Sequence, residues 1–338
     1  MRAPDLPAFF TTADARKSGV GEWRLRALTE RGQVTRLRRG LYAVAAPAPV
    51  GAGRATTYQQ LVLASFAAHG GADVVSHLSA AALHRLPLPL GPLDTVHVTR
   101  VSGSPYGWRA PGLWVHHADS FETIPALVDD VLVTTVARTV ADCLRAHPPR
   151  VGVPVADAAL HRGLTTGQEV WAEIASQCHW VGRVLRTDVA LPLVDGRRES
   201  WLESYAAVLF HEWGIDPPVP QLTVRDETGH FVARVDAGWE EDSTIIELDG
   251  NAKYLLPRTS EDGEDGKDID PAARFAAEKK RYDALGNLGL ERVRFGLNDL
   301  LEDRAGVQRR IRDRRRLGLR ERFTGSLETS PALTIPWS

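Results

Sequence analysis

Cysteine is almost missing from this chain, which has only Cys143 and Cys178 among its 338 residues. Two thiols are too few for a disulfide framework or a four-cysteine zinc site. The chain also lacks an apolar run of the roughly 18 residues needed to cross a bilayer. Its N-terminal segment lacks the long apolar core of a secretion signal. We therefore expect a cytoplasmic protein without a membrane partner.

Histidine-based metal motifs are lacking as well. Several of the 11 histidines lie between residues 77 and 161, but their spacing fits no zinc template, and neither HExxH nor CxxC occurs. Thr135, Arg138 and Asp142 are spaced for one face of a helix, which packing explains. We expect no metal site in this middle region.

A strong net charge is also lacking, because 41 basic and 43 acidic residues leave the chain at −2. Local charge, and not the average, determines where nucleic acid binds. Residues 1–45 contain nine basic and four acidic residues, and residues 300–322 contain nine arginines. Residues 259–270 are strongly acidic, which fits an interaction scaffold and a solvated surface insertion equally well.

Two helices and a β-hairpin are predicted near the N-terminus. Thr11 or Thr12 is suited to cap a first helix that ends at Gly19, and Gly21 and Gly32 bound a second helix. The following segment, QVTRLRRGLYAV, alternates apolar and basic residues as a two-stranded wing does.

The second of these helices is predicted to have two different sides. Trp23, Leu25 and Leu28 are spaced to face a core, while Arg24 and other arginines lie largely off that side. A basic helix beside a basic hairpin is suited to a DNA major groove and its flanking phosphates.

The N-terminal segment TTADARKSGVGEWRLRALTERGQVTRLRRGLYAV resembles the winged helix-turn-helix at the start of the AbiEi antitoxin family. The middle segments VVSHLSAAALHRLPL and VTTVARTVADCL are similar to the domain that follows it there. The resemblance implies DNA binding and makes a cognate toxin protein a candidate partner. The alternative is a merely soluble basic surface. The DNA contacts that the resemblance implies fall on Arg24, Arg26, Arg36, Arg38 and Arg39.

The chain is predicted to be an α+β protein with four parts, because linker-like PAPVGAG and a change of pattern at Arg197 divide it. Beyond Arg197 the predicted order of elements is α-β-β-β-α-β. The parts are a winged helix-turn-helix at 1–46, a mixed α/β domain at 55–190, the αβββαβ region at 197–302, and an arginine-rich helix with a loose tail at 303–338.

Three carboxylates are predicted to converge in the αβββαβ region. Glu247 and Asp249 share one face of a strand. A turn between Glu241 and Asp242 places Asp236 opposite Glu247 on the neighbouring strand. Close carboxylates repel each other unless a cation lies between them, and hard divalent ions prefer oxygen ligands. We therefore expect an Mg²⁺ or Mn²⁺ site, with an exposed hairpin edge as the alternative.

The run from Arg197 to Leu300 resembles the very-short-patch-repair-like branch of the PD-(D/E)xK nuclease superfamily. The matching segments are RRESWLES, RVDAGW, IIELDG followed by Lys253-Tyr254, EKKRYDALGNLGLERVRF, and Asp299-Leu300. The resemblance implies a restriction-endonuclease-like core in which Asp236 and Glu247 hold Mg²⁺ and water attacks a phosphodiester. It also makes Glu203 a candidate ligand or base.

One position departs from this superfamily. Its lysine would stand two residues after Glu247, where this chain has Asp249, so the positive charge would have to come from Lys253 or Lys279. Arg281, beside Lys279, is expected on a solvated helix face. Glu203 also fits a capping box with Ser200.

Two functions therefore remain open. The leading hypothesis is a magnesium-dependent DNA endonuclease or nickase, recruited to DNA by the winged helix. The alternative is a DNA-binding transcriptional regulator, or the antitoxin of a toxin–antitoxin system, with an inert nuclease-like domain. Sequence does not decide the oligomeric state, nor whether the arginine-rich helix at 303–322 contacts DNA or packs on the preceding domain.

Overall fold

The computed structural model describes residues 6–7, 9–44, 54–68, 73–100, 106–118, 124–177, 184–249, 280–318 and 322–336. These residues form two compact units. The N-terminal unit contains the described residues of Met1–Ala146 and Glu169–Gly182, and the C-terminal unit those of His147–Gln168, Arg183–Lys253 and Arg258–Ser338. This division differs from the predicted boundaries, which placed residues 147–168 and 184–190 in the middle domain at 55–190.

The N-terminal unit begins with two helices and a small sheet. The elements are β1 (Phe9–Thr11), α1 (Thr12–Lys17), α2 (Glu22–Glu30), β2 (Val34–Arg38) and β3 (Leu41–Val44). The strands are antiparallel in the order β1-β3-β2. The predicted pair of helices and the hairpin are confirmed, whereas β1 was not predicted.

Local interactions explain these elements. The Thr11 hydroxyl accepts a hydrogen bond from the Asp14 amide at 3.2 Å, and the Asp14 carboxylate accepts one from the Thr11 amide at 2.9 Å. This capping box begins α1. Gly40, with φ of 80°, turns the chain between β2 and β3 in a conformation that favours glycine.

Three residues of α2, Trp23, Leu25 and Leu28, were predicted to face the core. The prediction is confirmed for the two leucines and wrong for Trp23. Leu25 and Leu28 are buried, whereas Trp23 is 84 % exposed. Residues two apart on a helix are separated by about 200° around its axis, so Trp23 points away from the side that carries Leu25. Arg24 is half-buried, and its Nε is buried without a hydrogen-bond partner.

A mixed six-stranded sheet with helices forms the rest of the N-terminal unit. Its elements are α3 (Arg54–Ala68), β4 (Val74–Val75), α4 (His77–Leu83), β5 (Val96–Arg100), β6 (Trp108–Ala110), β7 (Leu113–His117), β8 (Ala126–Val128), β9 (Val131–Val133), α5 (Val136–Ala146) and, after helix α6 (Pro149–His161) of the other unit, α7 (Gly167–Ser176). The strand order is β6-β7-β5-β4-β9-β8. Arg138 and Asp142 of α5 form a buried ion pair at 2.9 Å, which agrees with the packing role predicted for them.

The C-terminal unit is built on a five-stranded sheet. Its elements are α6 (Pro149–His161), α8 (Val184–Ala190), a 3₁₀ turn (Leu191–Leu193), α9 (Trp201–Glu212), β10 (Val219–Asp226), β11 (Phe231–Trp239), β12 (Thr244–Asp249), α10 (280–287), β13 (Glu291–Gly296), α11 (Leu297–Glu302), α12 (Arg304–Leu317) and β14 (Gly325–Glu328). The strand order is β13-β12-β11-β10-β14, with β12 and β13 parallel and the other neighbours antiparallel. From α9 to β13 these elements follow the predicted α-β-β-β-α-β order.

Alternating side chains of the strands form the core of this sheet. Leu222, Val224, Val235 and Ile245 are buried together, as the two-residue period of a strand requires. At Gly238 an added Cβ would lie 2.8 Å from the Thr244 carbonyl oxygen. Glycine is therefore needed where β11 and β12 approach each other.

Helix α6 belongs to the C-terminal unit because of a buried acid. The Asp157 carboxylate is fully buried and accepts hydrogen bonds from the Asp195 amide at 2.7 Å and from Arg198 Nη1 at 2.8 Å. These contacts tie α6 to the segment that leads into α9. The polar partners lie about forty residues apart in sequence, so composition alone did not indicate them.

The arginine-rich helix α12 packs within the C-terminal unit. Val307 and Ile311 are buried, and Arg310 and Arg314 form ion pairs with Asp299 and Glu291 at 2.6 and 3.0 Å. The prediction of a loose tail is wrong for the described part, because β14 pairs with β10 and Ile335 is buried. Among the described residues, every helix is too short or too polar to span a bilayer.

Candidate functional site

The register of the β11–β12 hairpin is the predicted one. Ala237 pairs with Ile246, and Gly238 pairs with Ile245, so the next position along the same register brings Asp236 opposite Glu247. Regular pairing ends there, and the Asp236 Oδ2 atom accepts a hydrogen bond from the Leu248 amide at 2.6 Å. The Asp236 side chain therefore bridges the two strands where they part.

Asp236 lies in a small pocket that Glu203 and Arg198 also line. Burial, together with weaker repulsion from the Glu203 and Glu247 carboxylates, raises the pKa of Asp236 to about 6. The hydrogen bond from Leu248 and the charge of Arg281 act in the opposite direction. The site therefore favours a proton or a cation beside Asp236.

Glu203 takes part in capping α9, as its position suggested, and its role as a metal ligand or base stays a prediction. Its amide donates to the Ser200 hydroxyl at 3.2 Å, which caps α9. Its carboxylate accepts hydrogen bonds from the Glu199 amide at 3.1 Å and from Gln221 Nε2 at 2.7 Å. Gln221 has a left-handed backbone, with φ of 54°. Nothing in the sequence singled out Gln221, because its role depends on the contact between α9 and β10.

Asp249 does not join the other carboxylates. Its Oδ1 atom accepts a hydrogen bond from Arg294 Nη2 at 2.5 Å. The parallel pairing of β12 with β13 places Arg294 opposite Glu247, and its side chain reaches Asp249, two residues further along β12. The predicted ligand set of Asp236, Glu247 and Asp249 is therefore wrong as a set. In the part of the chain that the structure describes, no group of three or more histidine, cysteine or acidic side chains is arranged to hold a metal ion.

A cation from α10 lies beside Glu247. The Arg281 Nη2 atom is 3.1 Å from Glu247 Oε1. Arg281 is exposed, as expected for a solvated helix face, and it also forms this ion pair. The two lysines that were predicted to approach the site, Lys253 and Lys279, lie outside the described residues. Arg281 is one of several positive charges near these acids, because Arg198 lines the same pocket and Arg294 lies opposite Glu247. We call Glu203, Asp236 and Glu247 the carboxylate cluster.

The predicted DNA-contact residues are brought together only in part. Arg26, Arg36 and Arg39 are exposed, and Arg26 forms an ion pair with Glu30 at 3.0 Å. Arg24 is half-buried, and the Arg38 side chain lies outside the described residues. Arg31 adds a further exposed guanidinium at the end of α2. The surface formed by α2 and the β2–β3 hairpin is therefore basic.

Two helices, a three-stranded sheet and a basic hairpin define the N-terminal region as a winged helix-turn-helix. Residues 3–45 match the family described as "Transcriptional regulator, AbiEi antitoxin". This match concerns the N-terminal region, and it supports a DNA-binding regulator. No curated protein matches the chain.

Proposed function

We propose that this chain is a DNA-binding transcriptional regulator whose winged helix binds duplex DNA. The observation that carries the proposal is the basic surface of α2 and the β2–β3 hairpin, within the region that matches the regulator family. In helix-turn-helix proteins the second helix enters the major groove and flanking cations contact phosphates. By this geometry α2 reads the groove, and Arg36 and Arg39 of the hairpin hold the backbone.

The test is DNA affinity as a function of salt. We expect the full chain to bind duplex DNA with an affinity that falls steeply with KCl. The double variant Arg36→Gln/Arg39→Gln should reduce the slope of log affinity against log salt by about two units, since each lost phosphate contact removes about one. Fluorescence anisotropy with a labelled duplex measures both quantities.

The matched control for this test is Arg162→Gln, which removes an exposed arginine of the C-terminal unit. Its salt slope should equal that of the wild type. Wild-type protein that binds no duplex at low salt would contradict the proposal. An equal loss of slope in the control would show that net charge, and not the winged helix, determines binding.

The antitoxin description of the matching family supports a further part of the proposal, a cognate toxin protein as partner. Its test is co-expression with the product of an adjacent gene that arrests growth by itself. Relief of the arrest by the full chain supports the partnership. Arrest that persists, although both proteins are soluble, contradicts it.

A second candidate function is divalent-metal-dependent hydrolysis of phosphodiester bonds at the carboxylate cluster. The observation that favours it is a half-buried Asp236 whose pKa is raised by burial and by Glu203 and Glu247. Within the cluster, Asp236 and Glu247 fit a hard cation as oxygen donors, whereas Asp249 is held by Arg294. Bound Mg²⁺ or Mn²⁺ would supply charge neutralisation and an activated water.

Residues of the chain would then hold the carboxylates in place and supply a positive charge beside them. Gln221 holds the Glu203 carboxylate in place, and the Leu248 amide holds that of Asp236. Arg281, 3.1 Å from Glu247, provides a positive charge that a phosphate group would also attract. This division of roles is proposed for the cluster alone.

Plasmid nicking tests this second function. We expect nicking with Mg²⁺ or Mn²⁺ that is lost in Asp236→Asn and Glu247→Gln and is retained in Asp249→Asn, the matched control. DNA affinity should stay near that of the wild type in all three variants. Wild-type protein that cuts no duplex, mismatch or single strand with either metal contradicts hydrolysis and leaves the regulator proposal intact.

A further inference from the structure

Trp23 is a large apolar residue of the winged helix that does not pack into its core. It is 84 % exposed, whereas the core cluster beneath α2 is formed by Phe10, Leu25, Leu28 and their neighbours. An indole that stays in water contributes none of the stability that burial of its large apolar surface would supply. Packing therefore gives no reason for tryptophan here.

The place of Trp23 on α2 suggests what it contacts. It is the second residue of a nine-residue helix that follows the turn of the helix-turn-helix. The first residues of that helix are the ones that reach base edges when it lies in the major groove. An exposed aromatic side chain at this point is placed to touch bases, while arginines further along reach phosphates.

The charges around Trp23 favour nucleic acid over a protein surface. The nearest acid, Glu22, is already paired with Arg16. One turn further on, exposed Arg26 pairs with Glu30 at 3.0 Å, and exposed Lys17 lies 3.8 Å from Asp14. Arg31 adds an exposed guanidinium after the end of α2. A large apolar group within a basic surface matches the combination of base edges and phosphates that duplex DNA presents.

The chemistry of the indole indicates which base Trp23 contacts. Tryptophan has one N–H donor and no acceptor. Thymine is the base that presents both an acceptor, O4, and an apolar methyl group in the major groove. We infer that Trp23 contacts a thymine edge in the major groove and thereby contributes to the choice of DNA sequence. This inference rests on the proposed DNA binding.

The experiment begins with selection of duplexes from a pool with a randomised core, using the full-length wild-type chain. Affinities for a selected duplex and for a scrambled duplex of equal composition are then measured for the wild type, Trp23→Ala, Trp23→Phe and the control Tyr106→Ala. Tyr106 is an exposed aromatic outside the winged helix. Replacement of each thymine by deoxyuridine in the selected duplex removes only a methyl group.

We expect Trp23→Ala to lower affinity for the selected duplex by about 10-fold, with little change for the scrambled duplex or in thermal stability. A deoxyuridine at the contacted position should lower wild-type affinity by about 4-fold, the value of one buried carbon group, and should not affect Trp23→Ala. Trp23→Phe should lose less affinity for the selected duplex than Trp23→Ala does. The control Tyr106→Ala should bind both duplexes as the wild type does.

Each other outcome overturns the inference. Equal losses on selected and scrambled duplexes would make Trp23 a non-specific contact, and unchanged affinity would exclude a contact. A deoxyuridine effect of the same size in wild type and Trp23→Ala would assign the methyl group to another residue. A lower molar mass of Trp23→Ala in sedimentation would point to a second copy of the chain. If the wild type binds no duplex, the proposed function itself has failed.

Discussion

The winged helix and the carboxylate cluster handle charge in opposite ways. At the winged helix, Arg31, Arg36 and Arg39 are left exposed on a surface formed within one short stretch of chain. At the carboxylate cluster, Arg281 neutralises Glu247 across more than thirty positions of sequence. The first surface has charge available for a partner, and the second has one of its three carboxylates neutralised by an internal ion pair. Function at the first therefore depends on local sequence, whereas function at the second depends on tertiary contacts.

The largest effect that should separate the two regions comes from Asp157. In Asp157→Ala the largely buried Arg198 loses the carboxylate that pairs with it. This loss should lower the free energy of unfolding by about 3–5 kcal/mol. DNA affinity of the winged helix should stay unchanged in conditions where the protein is folded. Denaturant unfolding and fluorescence anisotropy measure the two quantities. Recovery of stability in Asp157→Ala/Arg198→Met would assign the loss to the uncompensated charge, and unchanged stability of Asp157→Ala would contradict the prediction.

A smaller effect, which depends on pH, should appear at Asp236. Its pKa of about 6 in the folded protein lies above the ordinary aspartate value of 3.8, so ionisation is disfavoured in the folded protein. The contribution of Asp236 to stability should therefore fall as the pH rises from about 4 to about 6. Asp236→Asn should be more stable than the wild type at pH 7, by about 1–2 kcal/mol, and should show no advantage at pH 4.

Unfolding of the wild type and Asp236→Asn at a series of pH values checks this prediction. A constant difference between the two proteins over the whole range would show that the carboxyl group is not the cause. A wild type that is stabilised by added Mg²⁺ at pH 7, while Asp236→Asn is not, would sharpen the comparison further. It would show that a cation relieves the same repulsion that a proton relieves.

The smallest effects should come from the two helix caps, which form a matched pair. Thr11→Ala removes the cap of α1 and Ser200→Ala removes that of α9, and each should cost about 1 kcal/mol. The first should also weaken DNA binding slightly, because it loosens the helix that precedes α2. The second should leave DNA affinity unchanged. Equal effects of both variants on DNA affinity would break the distinction between the regions.

Much of both regions was predictable because it rests on short-range rules. The capping residue Thr11, the turn at Gly40 and the alternation of β2 and β3 all act over a few residues. The register that aligns Asp236 with Glu247 followed from the length of one turn. The misplacement of Trp23 was an error of helical geometry, because positions two apart do not share a face.

Other features were not predictable from local patterns. Arg294 reaches Asp249 only because β12 and β13 pair in parallel, and Arg281 reaches Glu247 from a separate helix. Residues 147–161 read as part of the middle domain until the contact of Asp157 with Arg198 placed them with the C-terminal sheet. Each of these contacts joins segments that are distant in sequence, so periodicity contains no signal for it.

The sequence by itself determined the order of helices and strands, the basic hairpin and the facing positions of two acids, since hydrogen-bonding geometry and side-chain alternation act between near neighbours. The tertiary structure decided which charges are neutralised. It paired Asp249 with Arg294 and Glu247 with Arg281, because an ion pair forms wherever the fold brings opposite charges within a few ångströms.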